Sequence, residues 1–358
     1  MSRVPIGVGP ESAQSLQVEY VAELKGHADR VWCVAWSPTA EVLASSSGDH
    51  TVKLWSVSDA GWRCIATLDG ENTRTVRHVS WSPTGEYLAA ASFDGTATVW
   101  RRTSESAYEF EVEGSLYGHE SEVKCVEWLT DTTLATCSRD HTVWVWDRVE
   151  EGEYECGGVL TGHSQDVKHC TWCVPAEGRP ILVSCGYDDT VRVWSDDSHQ
   201  RDDWHCIQTI GQHEGTVWAA AFQEPAAEEG SPAGRFPLMA TCSDDKTVKF
   251  WRWEETKQFS CVATLSGASE RSLYDVTWAP RGAPVIATAS GDNSIVLASL
   301  WEDQEGAHVR VERQVMEAHE SDVNGVSFSH FGSLEEKGVL LASGGDDGRV
   351  KLWRVKYD

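Results

Sequence analysis

Hydrophobic and polar positions alternate over short stretches along the chain, as at Val123 and Cys125 and around Val143 and Val145. That is the period of strands with one face turned to a core. Turns of the Ser-Pro-Thr-Gly type bound these stretches where helix caps would otherwise stand, so almost no helix is expected. The pattern itself recurs. Set under itself at a period of about 45 residues, the chain aligns a strand ending in an aromatic residue at Trp36, Trp81, Trp128, Trp172, Phe222, Trp278 and Phe328. About 20 residues after each comes a small-residue strand, an Asp turn and a β-branched strand usually closed by Trp, as in LASSSGDHTVKLW, LATCSRDHTVWVW and LASGGDDGRVKLW. Length alone would divide 358 residues into two or three domains, but a repeat overrides that expectation.

Each unit opens on Gly-His or a worn form of it: Gly26-His27, Gly118-His119, Gly162-His163, Gln212-His213 and Ala318-His319. Together these landmarks resemble the WD40 repeat. Seven copies of that repeat imply an all-β fold, a seven-bladed β-propeller with four strands per blade around a central channel. The last unit runs only three strands to Tyr357, while LQVEYVAEL (16–24) precedes the first Gly-His. The resemblance implies that this N-terminal strand completes the last blade, which would leave no unpaired inner edge and make both ends structural. The expected organisation is a flexible N-terminus (1–15) and one propeller (16–358), with repeats at about 25–69, 70–117, 118–161, 162–211, 212–266, 267–317 and 318–357. Insertions at 223–237 and 329–338 read as polar surface loops.

With 41% hydrophobic residues and 18 tryptophans, the chain has ample apolar surface for a core. Fifty-six acidic against 30 basic residues give a formal charge of −26, which repels a phosphate backbone or an anionic bilayer and argues against nucleic acid and membranes as partners. The 11 cysteines are an odd number at wide spacings, unlike the framework of a small secreted scaffold, and read as reduced thiols of a cytosolic or nuclear protein. No stretch has the run of roughly 18–20 apolar residues of a membrane helix, and MSRVPIGVGPESAQS lacks the core of a secretion signal.

His, Ser or Thr, Asp and Trp recur together in five units and invite a catalytic reading. The sets are His27, Ser45, Asp49 and Trp55; His119, Thr136, Asp140 and Trp146; His163, Ser184, Asp188 and Trp194; His213, Thr241, Asp245 and Trp251; and His319, Ser343, Asp347 and Trp353. Five catalytic centres in one chain are implausible. The WD40 resemblance implies instead an internal hydrogen-bond relay that satisfies buried polar groups. Asp94 and Asp292 hold the turn position in the two remaining units, where Glu71 and Ala90, and Ala268 and Ala298, stand in for relay residues, so these blades should be softest. Cys170 and Cys173 form a C-x-x-C, but on a strand, residues three apart point to opposite sides and no second pair completes a tetrahedral set. No phosphate loop, H-E-x-x-H or G-x-S-x-G occurs. The expectation is no enzyme, no cofactor and no metal.

The WD40 pattern implies that the residue before each turn Asp projects onto one face: Gly48, Phe93, Arg139, Tyr187, Asp244, Gly291 and Asp346. The start of each innermost strand adds Trp32, Arg77, Lys124, Lys168, Trp218, Tyr274 and Asn324. An acidic protein that gathers Arg77, Lys124, Arg139 and Lys168 on the arc of units two to four, beside Phe93 and Tyr187 and continued by Trp218 and Tyr274, has a face suited to a carboxylate-bearing peptide with a bulky side chain. The plainer reading is that these groups plug the channel mouth and pair with nearby carboxylates.

Several strings, among them TVRHVSWSPTGEYLAAASFDGT, GHESEVKCVEW, LATCSRDHTVWVW, QDVKH, GTVWAAAF and LYDVTW, resemble in order and register the WD40 subunits of the cytosolic iron-sulfur protein assembly (CIA) targeting complex over about 18–355. They include the face positions Lys124, Arg139, Lys168, Trp218 and Tyr274, which the general repeat leaves free. The resemblance implies a non-catalytic adaptor in the cytosol and nucleus, monomeric alone. It would join a small partner subunit to a large helical-repeat scaffold and recruit apo-proteins awaiting [4Fe-4S] clusters, without ligating a cluster itself. Some clients or adaptors of that system end in a short peptide with an aromatic residue, and the basic-aromatic arc is read as its receptor. The alternative is a substrate receptor of a cullin-type ubiquitin ligase or another WD40 scaffold. Such receptors show Trp-Asp-x-Arg, whereas Trp146-Asp147-Arg148 places Arg one position early.

Overall fold

The computed structural model describes residues 15–104, 108–175, 179–196, 203–224 and 237–358. Among them there are 28 strands and no helix, hence no helix long and apolar enough to cross a membrane. The strands form seven separate four-stranded antiparallel sheets. The first blade is β2 (Val31–Trp36), β3 (Val42–Ser47), β4 (Val52–Ser58) and β5 (Gly61–Leu68), in sequence order from the channel outwards. The other innermost strands are β6 (Val76–Trp81), β10 (Val123–Trp128), β14 (Val167–Cys173), β18 (Val217–Phe222), β22 (Leu273–Trp278) and β26 (Val323–Phe328). Neighbours in this series touch, and β26 returns to β2, which closes the ring.

Closure follows the sequence reading. The last blade is β26, β27 (Val339–Gly345), β28 (Arg349–Tyr357) and then β1 (Leu16–Lys25). β1 pairs with β28 from Leu16 opposite Tyr357 to Lys25 opposite Arg349, with a bulge between Tyr20 and Ala22. The edge of Tyr20 packs on Trp353, ring centroids 5.6 Å apart. The chain before Ser15, expected to be flexible, lies outside the described residues.

There is one apolar cluster for each of the seven junctions between blades. This explains why the second strand of a blade is built from small residues. VLASSS of β3 is buried at all six positions, as are YLAAAS and VIATAS in blades two and six, because both sheet faces are covered and adjacent blades pack close. At four of the seven junctions an aromatic residue at the end of an inner strand also ties neighbouring blades together, while the buried Trp128 indole N–H has no partner among the described residues. Indole N–H groups of Trp36, Trp81, Trp172 and Trp278 donate to the carbonyls of Ser327, Ala35, Glu127 and Ala221 on the preceding blade, at 3.0–3.1 Å. Phe222 and Phe328 cannot make this bond.

The relay is present in the five predicted blades. In the third, His119 Nδ1 lies 2.7 Å from Asp140, its Nε2 lies 2.8 Å from Thr136, and the Trp146 indole donates to the same Thr136 hydroxyl at 2.9 Å. His27, His163, His213 and His319 repeat this with Asp49, Asp188, Asp245 and Asp347. Burial opposes the charge on these carboxylates, but His, backbone and Thr donors outweigh it and hold each well below its usual value. The residue after each turn Asp is left-handed, including the non-glycine His50, His141, Asp189, Lys246 and Asn293.

Three expectations need correction. In blade two the histidine position is taken by buried Asn72, one residue later than Glu71; it accepts from Thr98 at 3.3 Å, while Asp94 accepts from the backbone N–H of Thr73 at 2.8 Å. In blade six it is Ser269, not Ala268, and its hydroxyl donates to Asp292 at 2.8 Å. Blade six therefore keeps a shortened relay through Ser269, whereas in blade two Asn72 and Asp94 are not bonded to each other and the buried Asn72 amide nitrogen has no partner among the described residues. The 329–338 segment is not simply a polar loop, because Leu334 is buried in the cluster between blades six and seven and its carbonyl accepts from Tyr357 N–H at 2.8 Å. Most of the other insertion, 225–236, lies outside the described residues. Cys170 and Cys173 do diverge, into two different junction clusters.

Candidate functional site

The two predicted rings of residues meet at one end of the channel. In every blade the N–H of the residue before the turn Asp bonds the carbonyl just before the inner strand, as from Phe93 to Thr75 and from Arg139 to Glu122, both at 2.9 Å. Antiparallel pairing therefore sets the pre-turn side chain beside the second residue of the inner strand. The result is a belt of cations and rings. Lys124 Nζ sits 3.9 Å from the Phe93 centroid, and Lys168 Nζ sits 3.6 Å from Tyr187 and 5.3 Å from Trp218. Tyr187, Trp218 and Tyr274 follow edge to face at 5.8 and 5.3 Å. On the other side, Arg77 and Arg30 flank the Trp32 ring at 4.9 and 5.3 Å.

Carboxylates brace this belt, as the plainer sequence reading anticipated. Trp218 donates to Asp244 at 2.6 Å, Tyr274 to Asp322 at 3.3 Å, and Lys168 pairs with Asp166 at 3.2 Å. Asn324 donates to Asp346 at 2.7 Å. Lys168 is only 9% exposed, so it stiffens the mouth and offers little to solvent. Burial and neighbouring Lys168 bring the Lys124 ammonium down to about 8. Burial resists ionisation of Glu122, yet the Ser121 hydroxyl, the backbone N–H, Lys124 and Arg139 hold it at about 2. Arg139 is the open cation of the predicted four: its side chain is 57% exposed and lies 3.2 Å from Glu122. Tyr187 is exposed, whereas Phe93, Trp32, Trp218 and Tyr274 are half-buried.

The sequence reading sampled two positions per blade and missed three further cations. Arg30, Arg74 and Arg271 stand one or two residues before their inner strands and reach Asp346, Glu122 and Asp322 at 3.5–3.8 Å. The basic arc thus extends through blades one and six. The chemistry it offers is a pre-ordered rim of guanidinium groups around half-buried rings, in which an incoming carboxylate can exchange places with an internal one. Arg148, the residue that bears on the ligase motif, is tied to the buried Glu113 and lies over the Tyr87 ring.

The other end of the channel is a cavity of about 600 Å³ lined by His78, Glu127, His169 and Asp275 and rimmed by Pro38, Pro83, Pro237 and Pro280. These residues occupy the third and fifth positions of the inner strands, which the sequence reading left out.

Comparison with known proteins gives the family. The family model described as "WD domain, G-beta repeat" matches residues 18–56, 62–101, 110–147, 154–195, 204–252 and 310–354. A relative from Chlamydomonas reinhardtii, named "Probable cytosolic iron-sulfur protein assembly protein CIAO1 homolog", is 41% identical over 95% of this chain and 99% of its own. One of the same name from Ixodes scapularis is 40% identical over 78% of this chain and 83% of its own. "Probable cytosolic iron-sulfur protein assembly protein 1" of Scheffersomyces stipitis is 30% identical over 94% and 99%. Repeat landmarks, closed ring and relatives of matching length together place the chain in the WD40-repeat family and, within it, in the family of cytosolic iron-sulfur protein assembly protein 1.

Proposed function

We propose that this chain is a non-catalytic interaction platform of cytosolic iron-sulfur protein assembly. It links a small partner subunit to a large helical-repeat scaffold and recruits apo-proteins for [4Fe-4S] insertion in the cytosol and nucleus. The names of its relatives support the process. The observation that carries the recruiting role is the rim of exposed arginines around half-buried Trp and Tyr at one channel mouth of a chain with formal charge −26. Open guanidinium groups beside half-buried rings suit a ligand that presents a carboxylate and an apolar side chain together. Arg139 and its neighbours hold the carboxylates of a C-terminal tail, and Trp218 or Tyr274 packs the aromatic ring. The five His-Asp relays serve the blades and carry no reaction, because each is closed off by its own Ser or Thr and Trp.

The test is affinity purification of the tagged chain from its own cytosol, wild type beside Arg139→Glu, with co-purified proteins identified by mass spectrometry. The expected result is a small subunit, a helical-repeat scaffold and apo iron-sulfur enzymes, with the enzymes depleted in the mutant. Melting should fall only slightly, since the half-exposed Arg139–Glu122 pair is worth within about 1 kcal/mol and the new carboxylate can turn to solvent. Equal client capture by the mutant refutes the arc as receptor; recovery of a cullin adaptor instead overturns the assembly role.

A further inference from the structure

The channel wall brings together side chains from three successive blades that no function above uses. His78 on β6, Cys125 on β10 and His169 on β14 each occupy the third position of an inner strand, and one donor atom from each lies within 4.8 Å of the others. We infer that these three residues form a His-Cys-His site for a single divalent transition metal of the zinc class, entered from the proline-rimmed end of the channel.

The geometry favours a ligand role on four counts. The set is mixed imidazole and thiol, which suits Zn²⁺ and Co²⁺ over Mg²⁺ or Ca²⁺. His78 Nδ1 lies 3.1 Å from the carbonyl of Val126, so its N–H donates there and leaves Nε2 as the neutral lone pair, the outer-shell arrangement of metal-bound histidines. His169 Nδ1 is shut off from water and has no hydrogen-bond partner among the described residues, which is costly unless something else engages it. Both imidazoles line the cavity of about 600 Å³, so the site has an entry path and room for a water as fourth ligand, and Glu127 and Asp275 on the same wall offset the charge of an arriving cation. The rings meet edge to face at 5.4 Å. Ligand atoms around zinc stand roughly 3.3–3.7 Å apart, given bonds of about 2.0–2.3 Å, so small side-chain rotations complete the set. Binding displaces the thiol proton of Cys125 to solvent and leaves a thiolate on the metal. Cys125, like Cys137 and Cys170 with which its sulfur clusters, is fully buried behind the two imidazoles that line the cavity; its thiol donates to the Cys170 carbonyl at 3.5 Å, a bond that metal binding would replace.

Cobalt(II) is the probe. The untagged full chain, stripped with chelator, is titrated with Co²⁺ under reducing conditions, followed by back-titration with Zn²⁺. Wild type is expected to show a thiolate-to-cobalt charge-transfer band and tetrahedral visible bands that saturate at one equivalent and are bleached by zinc, with a higher melting temperature in zinc. His78→Gln and His169→Gln, both at the cavity wall where a change of shape is tolerated, should lose more than the roughly 10- to 100-fold in affinity that disturbing a mere supporting shell costs. Cys173→Ala, which removes another cavity-lining thiol, should bind as wild type. Absence of the band in wild type, equal binding by both Gln variants, or its loss in Cys173→Ala overturns the site. Should one Gln variant melt early, the other variant and the wild-type titration still decide.

Discussion

Replacing Asp140 by alanine takes one acceptor away from four donors: His119 Nδ1 at 2.7 Å, the backbone N–H of Glu120 at 3.0 Å, and the N–H and hydroxyl of Thr142 at 2.9 and 2.5 Å. Three of these can turn to water or fray with the turn. His119 cannot, since its side chain is 2% exposed between the blades. Breaking such a pair while leaving its partner buried costs about 3–5 kcal/mol. Asp94 in blade two is the internal control, because it also accepts from four donors, on Thr73 and Thr96, but serves no histidine. Asp94→Ala should cost about 1–2 kcal/mol, like the loss of a cap. The difference isolates the buried imidazole, worth about 1–3 kcal/mol when left unsatisfied. Urea unfolding followed by tryptophan fluorescence, with m-values checked for constancy, measures both. At about 2.1 cal/mol/K per residue of unfolding entropy, the Asp140 variant should melt roughly 4–7 °C lower. Equal destabilisation by the two substitutions would show that the relay adds nothing beyond turn capping, and the argument would fail.

Three further outcomes follow from the same contacts. Deleting residues 16–24 strips β28 of its partner along the whole strand, so the chain should lose cooperative folding at 37 °C; a truncated chain that melts like wild type refutes closure by β1. The relay carboxylates are held below the usual value of 3.8 in the fold, so the unfolded chain takes up protons more readily and their stabilisation, complete above about pH 4–5, is lost as pH falls further. Melting temperature should be flat from pH 7 to 5 and drop steeply below 4; a flat profile to pH 2.5 refutes the assignment. Trp81→Phe removes the indole bond to Ala35 across a blade junction and should cost about 1–2 kcal/mol, whereas Phe222→Tyr, at a position with no such bond, should show no matching gain; chemical denaturation of each decides.

The blade count and the relay were legible in the sequence because a propeller writes its architecture locally. Each blade is one stretch of chain folded by nearest-neighbour hairpins, so partners such as Trp146 and Thr136 recur at fixed spacing and the WD40 resemblance implied their bond, whereas the bond of Thr142 to Asp140 came only from the structure. Even the long-range pairing of β1 with β28 was anticipated, because the final repeat runs one strand short and the WD40 resemblance implies that the N-terminal strand completes it. Where the sequence reading slipped by one residue, at Asn72 and Ser269, the substituted side chain no longer looked like histidine, and only the position before the strand reveals its role. What spacing could not give is anything that requires two blades at once. The belt of Lys168 between Tyr187 and Trp218, the burial that turns Lys168 into a brace while leaving Arg139 open, and the indole ties between inner strands depend on the radius of the closed ring. So does the meeting of His78, Cys125 and His169. They stand a whole repeat apart in sequence and become neighbours because identical positions of successive repeats converge on one axis.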